Sequence, residues 1–163
     1  MGKRMGKAYF NIGVYLAALI VLADQFSKSM FLASAFDATP FYRVTPFLNL
    51  RLSWNKGVTF GLLNDVGAWM PYVLIVAALL ITLLLLRWLS QASTLHAAIG
   101  LGAVIGGAIG NVIDRVRFDA VVDFIDLHYA GYHWYTFNLA DSAICIGVGL
   151  LLLENFTAKR HKR

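Results

Sequence analysis

Charge is scarce in this chain. Only 14% of its 163 residues are Asp, Glu, Lys or Arg, while 59% are hydrophobic; an average soluble domain carries roughly 25% charged residues. That balance excludes a soluble core inside a charged shell and points to one polytopic membrane domain over residues 1–163. Cysteine is scarcer still. The lone Cys145 rules out a disulfide framework and a cysteine metal site, and reads as a small core residue. No HExxH motif is present. The glycine-rich run 100–110 misses the GxGxxG spacing and follows no strand, so a nucleotide site is excluded. No serine or cysteine pairs with a histidine in a convincing arrangement, which sets aside a covalent nucleophile.

Four stretches are long and apolar enough to cross roughly 30 Å of hydrocarbon: about 10–31, 67–86, 95–112 and 137–156. The second carries no charge at all. Basic residues flank the ends, with Lys3, Arg4 and Lys7 before the first span and Lys159, Arg160, Lys162 and Arg163 after the last. Arg87 marks the short connection between spans two and three. By the positive-inside rule both termini are expected in the cytoplasm, and the connections at about 32–66 and 113–136 are expected outside. The net charge of +5 sits largely in these tails. They read as topology signals and contacts to anionic membrane lipids, not as a nucleic-acid surface. The basic N-terminus and apolar run resemble a signal peptide, but the run is too long and lacks an A-x-A-like site. An uncleaved first span is the expectation.

The first outer connection has a pattern of its own. Leu48, Leu50, Leu52 and Trp54 alternate with Asn49, Arg51, Ser53 and Asn55, a period of two that predicts a half-buried strand. Asn55-Lys56-Gly57 supplies turn chemistry before Val58 and Phe60, so a small hairpin is expected there. The expected fold is therefore all-α and polytopic, with four transmembrane helices and a small β-sheet or hairpin on the outer surface. Aromatics at Phe41, Tyr42, Phe47, Trp54 and Phe60 suit the membrane interface.

Span three carries glycines at 100, 102, 106, 107 and 110, spaced for close helix approach in lipid. Asn111, Asp114 and Arg115 follow on one helical face. Span four opens with Asn138, Asp141, Ser142 and Cys145 at i, i+3, i+4 and i+7, a polar stripe that must face protein or water. Asn138 also fits an N-cap and Asp141 a helix-dipole role. Asp24 and Lys28 are spaced i,i+4, as a surface ion pair would be. His128 and His133 lie in the second outer connection, where their spacing gives no metal geometry.

Carboxylates are few, yet they cluster. Nine acidic residues occur in the chain, and Asp114, Asp119, Asp123, Asp126 and Asp141 all fall within 114–141. Asp24, Asn55, Asn111, Asp114, Arg115, Asp123, Asn138 and Asp141 map to one membrane level, as a site requires. Two close carboxylates cannot both ionise cheaply, so one keeps a proton and the pair can act as acid and base on a water. That is aspartic-protease chemistry. These considerations single out Asp141 and leave its partner open among Asp114, Asp123 and Asp126. An ion channel or transporter also uses intramembrane Asp residues, but here no relay of ionisable groups runs through the bilayer.

The segments Gly110-Asn111-Val112-Ile113-Asp114-Arg115, Val121-Val122-Asp123-Phe124 and Phe137-Asn138-Leu139-Ala140-Asp141-Ser142 resemble the three-part motif of the lipoprotein signal peptidases (signal peptidase II). Asp24-Gln25 and Asn55-Lys56-Gly57 also fit that family's pattern, and the resemblance covers nearly the whole chain. It implies an inner-membrane aspartic endopeptidase needing no cofactor or metal. The implied substrates are bacterial prolipoproteins whose cysteine carries a diacylglyceryl group, cut just before that cysteine. Asp123 and Asp141 would be the catalytic pair, with Asn55, Asn111, Asp114, Arg115 and Asn138 orienting the dyad or the substrate and Asp24 in support. The work would be done at the outer face of the membrane by a monomer. Asp119 and Asp126 read as solvated loop charges. The apolar face of 48–54 and the interfacial aromatics would cradle the acyl chains and the signal helix.

Overall fold

A computed structural model describes residues 2–34, 41–57 and 69–160. Its elements are α1 (Gly2–Ser34), β1 (Phe41–Thr45), β2 (Leu48–Asn55), α2 (Met70–Leu89), α3 (Leu95–Phe118), β3 (Val121–Tyr129), β4 (Tyr132–His133) and α4 (Leu139–Arg160). All four helices are long and apolar enough to span a membrane. Pro71 occupies the first turn of α2, where its missing N–H is harmless. Thr94 caps α3 by accepting from the Ala97 N–H at 3.1 Å, and Asp119 ends it in the left-handed conformation at φ 53°.

The bundle is built around α3. Two-thirds of its membrane segment is buried, 67% against 11% for each of the other three, so α3 is the post to which the others are fixed. Its glycines explain how. A Cβ at Gly102 would meet the Gly13 backbone, one at Gly106 the Ala17 backbone, and one at Gly107 the Ala140 carbonyl. The absent side chains let α1 and α4 approach α3 from different sides. Elsewhere the core is Leu89, Ala98, Leu101 and Ile105, and the leucines of α2 at 79, 80, 83 and 84 face outward, as lipid permits.

Outside the bundle lies an antiparallel sheet in the order β1-β2-β3-β4. This is more sheet than the pattern predicts. The hairpin forms between β1 and β2, with Arg43 paired to Asn49 and Phe41 to Arg51; the partner expected at Val58 and Phe60 lies outside the described residues. α3 runs on to Phe118, so residues 113–118 are helix, and 121–129 are strand. β3 escapes the alternation test because nearly all of it is buried up to Asp126. A strand covered on both faces shows no period of two.

The polarity of β2 also differs from a simple half-buried strand. Asn49 is buried, while Leu48, Leu50 and Leu52 are only partly covered and Trp54 is 44% exposed. A register shift between Leu50 and Ser53 changes which residues face β3. Asn49 thus turns inward, Arg51 stays exposed, and the apolar side is covered only in part. Cys145 corrects another expectation, since it is exposed. α4 meets α3 along one side only, and a thiol facing hydrocarbon costs little.

Gly107→Ala is expected to push α4 off α3, at about 1–3 kcal/mol for overpacking. Thermal unfolding in detergent checks this: a Tm several degrees lower is expected, against no loss for Gly6→Ala, whose added methyl meets nothing and favours the helix.

Candidate active site

Asp123 lies at the third position of β3 and is buried. Asp141 lies in the first turn of α4 and is half-buried. The chain before α4 is tied to β3 where Phe137 donates to the Ile125 carbonyl at 3.1 Å and accepts from the Ile125 N–H at 2.9 Å. That bridge sets Asn138 between the two carboxylates.

Asn138 serves both. Its Nδ2 donates to Asp123 Oδ1 at 2.7 Å, and its Oδ1 accepts the Asp141 backbone N–H at 2.9 Å. The Asp141 carboxylate in turn accepts the Asn138 backbone N–H at 3.3 Å. This reciprocal arrangement is a capping box, so the cap reading and the site reading of Asn138 hold together. Asn111 Nδ2 donates to Asp141 Oδ1 at 2.8 Å, and Asn55 Nδ2 to Asp123 Oδ2 at 3.1 Å. Three asparagines from three elements therefore hold the carboxylate pair.

Burial pushes the Asp123 carboxyl up, and the charge of Asp141 adds to it. Hydrogen bonds from Asn55 and Asn138 and the charge of Lys28 oppose both, and the value settles at about 7. A neighbouring carboxylate and a low-dielectric setting each disfavour the anion. Asp123 thus carries a proton up to neutral pH.

Among the described residues Arg115 makes no ion pair with a carboxylate. Its guanidinium donates to the Gly57 carbonyl at 2.9 Å and the Asn111 carbonyl at 3.5 Å, while Asn55 Oδ1 accepts the Gly57 N–H at 3.1 Å. Arg115 therefore fixes the turn that aims Asn55 at Asp123.

Asp24 and Asp114 lie behind the pair. Lys28 Nζ sits 2.8 Å from each of them, and all three are buried. The surface ion pair expected of Asp24 and Lys28 is in fact a buried triad, because the outer end of α1 packs on α3 and not on solvent. Asp114 finds its cation in Lys28 and not in a neighbouring arginine. The triad reaches further: Asp24 accepts the Ala140 N–H at 3.0 Å, and Asp114 accepts the Val122 N–H at 3.0 Å. Gln25 donates to Asp114 at 2.8 Å and to the Gly110 carbonyl at 3.2 Å. Lys28 and Gln25 are not among the expected site residues; the hints to them are the Asp24-Gln25 match to the family pattern and the i,i+4 spacing of Lys28 from Asp24.

Asp126 corrects the reading of it as a solvated charge. It has no exposed surface, accepts from Asn49 at 3.2 Å, and meets His133 Nδ1 at 2.9 Å. His128 and His133 stack, with centroids 5.0 Å apart. Burial alone would raise the Asp126 carboxyl, but the hydrogen bonds from His133 and Asn49 and the charges of His133 and Arg51 outweigh it, holding the group below its usual value. Asp126 anchors the sheet and lies apart from the pair. Asp119 is exposed, as expected.

Residues 16–157 match the family described as Signal peptidase (SPase) II. The chain is 40% identical over 143 residues to a lipoprotein signal peptidase of Coxiella burnetii (strain Dugway 5J108-111), covering 86% of each. It is 40% identical over 157 residues to that of Syntrophotalea carbinolica, covering 93% of this chain and 95% of the relative. A bacterial membrane enzyme solved by the in meso method at 2.3 Å resolution superposes with a TM-score of 0.82 at 28% identity, covering 93% of this chain and 91% of that one.

Asp126→Ala should cost about 1–3 kcal/mol, the penalty for leaving buried polar partners unsatisfied. Asp119→Asn should stay within about 0.5 kcal/mol. Thermal unfolding of the two variants side by side checks the contrast.

Proposed function

Since the chain belongs to the signal peptidase II family, we propose that Asp123 and Asp141 are the dyad with which it works. The enzyme is an aspartic peptidase, an integral inner-membrane protein that removes signal peptides from prolipoproteins. The observation that carries the dyad is buried Asn138, whose side-chain amide donates to the Asp123 carboxylate while its backbone N–H donates to that of Asp141. The rival ion path finds no support in this family.

In this reading Asp123 holds the shared proton and Asp141 is the base. Among the described residues both carboxylates receive N–H donors, Asp141 from Asn111 and the Asn138 backbone and Asp123 from Asn55 and Asn138, so the assignment rests on the raised value of Asp123. A water placed between the two gives its proton to Asp141 as its oxygen attacks the scissile carbonyl carbon. Asp123 passes its proton to the carbonyl oxygen. As the tetrahedral intermediate collapses, that oxygen returns a proton and Asp141 delivers one to the leaving amine, which breaks the C–N bond and restores the dyad.

The substrate is a prolipoprotein whose cysteine bears a diacylglyceryl group, cut just before that cysteine. A lipidated cysteine remains in the bilayer, so the site must open at membrane level. Asp141 in the first turn of a spanning helix and Asp123 on the sheet beside it satisfy that. Both termini are cytoplasmic and the dyad faces the periplasm, in keeping with the basic residues at the two chain ends. The half-covered apolar side of β2 and the exposed Phe41, Tyr42, Phe47 and Trp54 would rest on membrane lipid and the substrate's acyl chains. One chain supplies every residue of the proposed site, so a monomer suffices for this chemistry.

Purified protein in detergent with chelator present should cut a diacylglyceryl-modified prolipoprotein. Asp123→Asn and Asp141→Asn should each lower the rate by on the order of 10⁴. Cleavage retained by both folded variants would sink the dyad, and no cleavage by the parent protein would sink the peptidase assignment. Asp123 also links to stability. Its folded value of about 7 exceeds the unfolded value of about 3.9, so the native state keeps a proton that the unfolded chain releases. Stability is therefore lost as pH rises from about 4 to about 7. Asp123→Asn should raise Tm above pH 7 and leave it nearly unchanged near pH 4. The cleavage rate should fall on the alkaline side with an apparent value near 7 that belongs to the pair; a pH–rate profile flat through that region would count against a shared proton.

A further inference from the structure

Lys28 is the buried cation among the described residues, and its partners outnumber what charge balance needs. An ammonium has three N–H donors and no acceptor. Two of them meet Asp24 and Asp114, both at 2.8 Å. These two carboxylates already exceed the charge of Lys28. The third donor goes to neither; it goes to the side-chain oxygen of Asn111 at 3.3 Å.

That oxygen also accepts from Asn138 Nδ2 at 3.2 Å. Two donors converging on one end of an amide fix which end is oxygen. With the oxygen held there, the Asn111 NH₂ must point the other way, and it lies 2.8 Å from Asp141 Oδ1. A flipped amide would set its NH₂ against an ammonium and its oxygen against a carboxylate, two repulsive contacts in a poorly solvated site. Asn138 alone cannot supply this bias, because its own amide is shared between Asp123 and the Asp141 backbone.

We propose that Lys28 is a positioning residue for the hydrolysis, locking the Asn111 amide so that its N–H holds Asp141 in the attacking geometry. Asp24 and Asp114 keep the ammonium in place, and Asn111 passes its orientation on to Asp141. The triad thus acts on the dyad from α1, a helix that supplies neither carboxylate. This rests on the dyad assignment above. Among the described residues the charged groups acting on Asp123 are Asp141 from α4, Lys28 from α1 and Arg115 from α3, so removing Lys28 takes away one of the two cations described there.

The test is single-turnover cleavage of a diacylglyceryl-modified prolipoprotein by Lys28→Met, normalised to folded enzyme, over a range of pH. Misplacing a catalytic group by about 1 Å costs on the order of 10²-fold. The expected result is a loss of that order in the cleavage rate, with KM unchanged and the alkaline limb moved to higher pH. A purely structural lysine would lower the folded fraction and leave both the rate per folded molecule and the pH limb where they were. Lys28→Met leaves Asp24 and Asp114 without a cation and could fail to fold. The double variant Lys28→Met/Asp24→Asn keeps the net charge of the cluster, and Asp114 retains Gln25 and the Val122 N–H as donors. It should show the same loss of rate. Parental rate and pH limb in either folded variant would overturn the proposal, as would failure of both to fold, which would reduce Lys28 to scaffold. Asp123→Asn and Asp141→Asn run alongside separate the two readings: if they cut, the dyad is wrong; if they are dead while the Lys28 variants are normal, only the lysine's role is wrong.

Discussion

One ammonium group ties this molecule together. Lys28 on α1 is closed off from water between Asp24 on its own helix and Asp114 on α3. Each carboxylate then spends its remaining capacity elsewhere, Asp24 on the first turn of α4 and Asp114 on the start of β3. Desolvating three charges costs several kcal/mol per ion unless nearly every donor and acceptor is matched. Here that demand is met by Gln25, Asn111 and two backbone N–H groups. The consequence is geometrical. α1, α3, β3 and α4 cannot shift relative to one another without uncovering a buried charge, and the two proposed catalytic carboxylates ride on β3 and α4.

Such a cluster needs close backbones, and the glycines of α3 provide them. A side chain at Gly110 would press on the Asp24 carboxylate, so the same small residue that brings α1 near also makes room for the charge. Packing and electrostatics are therefore one arrangement. Excluding water strengthens the hydrogen bonds that orient the pair, and it raises Asp123 to a value suited to holding a proton near neutral pH. The destabilisation this implies for Asp123 is the usual cost of a poised group.

Much of this was legible in the sequence, and the parts that were not have a physical cause. Polar residues in apolar runs stand out, so Asn111, Asn138 and Asp141 were visible, and the alternation of 48–55 gave both the strand and the direction of Asn55. The structure brings these side chains together with Asp123. Lys28 was hidden because an i,i+4 Asp–Lys pair looks the same on a wet surface as in a dry interface; the difference lies in Asp114, far along the chain. β3 was hidden because Val121-Val122-Asp123-Phe124-Ile125-Asp126 is covered on both sides, which removes the period that marks a strand. Asp126 was misjudged for the same reason, as a carboxylate in an unrecognised strand reads as a loop charge.

The order in which the parts occur along the chain has a consequence for how this protein is made. Ala140 and Asp141 lie in the first turn of α4 and Asn138 caps it; together they supply the cap, an anchor for Asp24 and one half of the proposed carboxylate pair. While translation is under way, with the first three helices already in the bilayer, the nascent chain holds Asp123 with no partner. On the proposed dyad, a chain stopped before α4 lacks Asp141, the Asn138 contact to Asp123 and the anchor for Asp24, so it is expected to be inert.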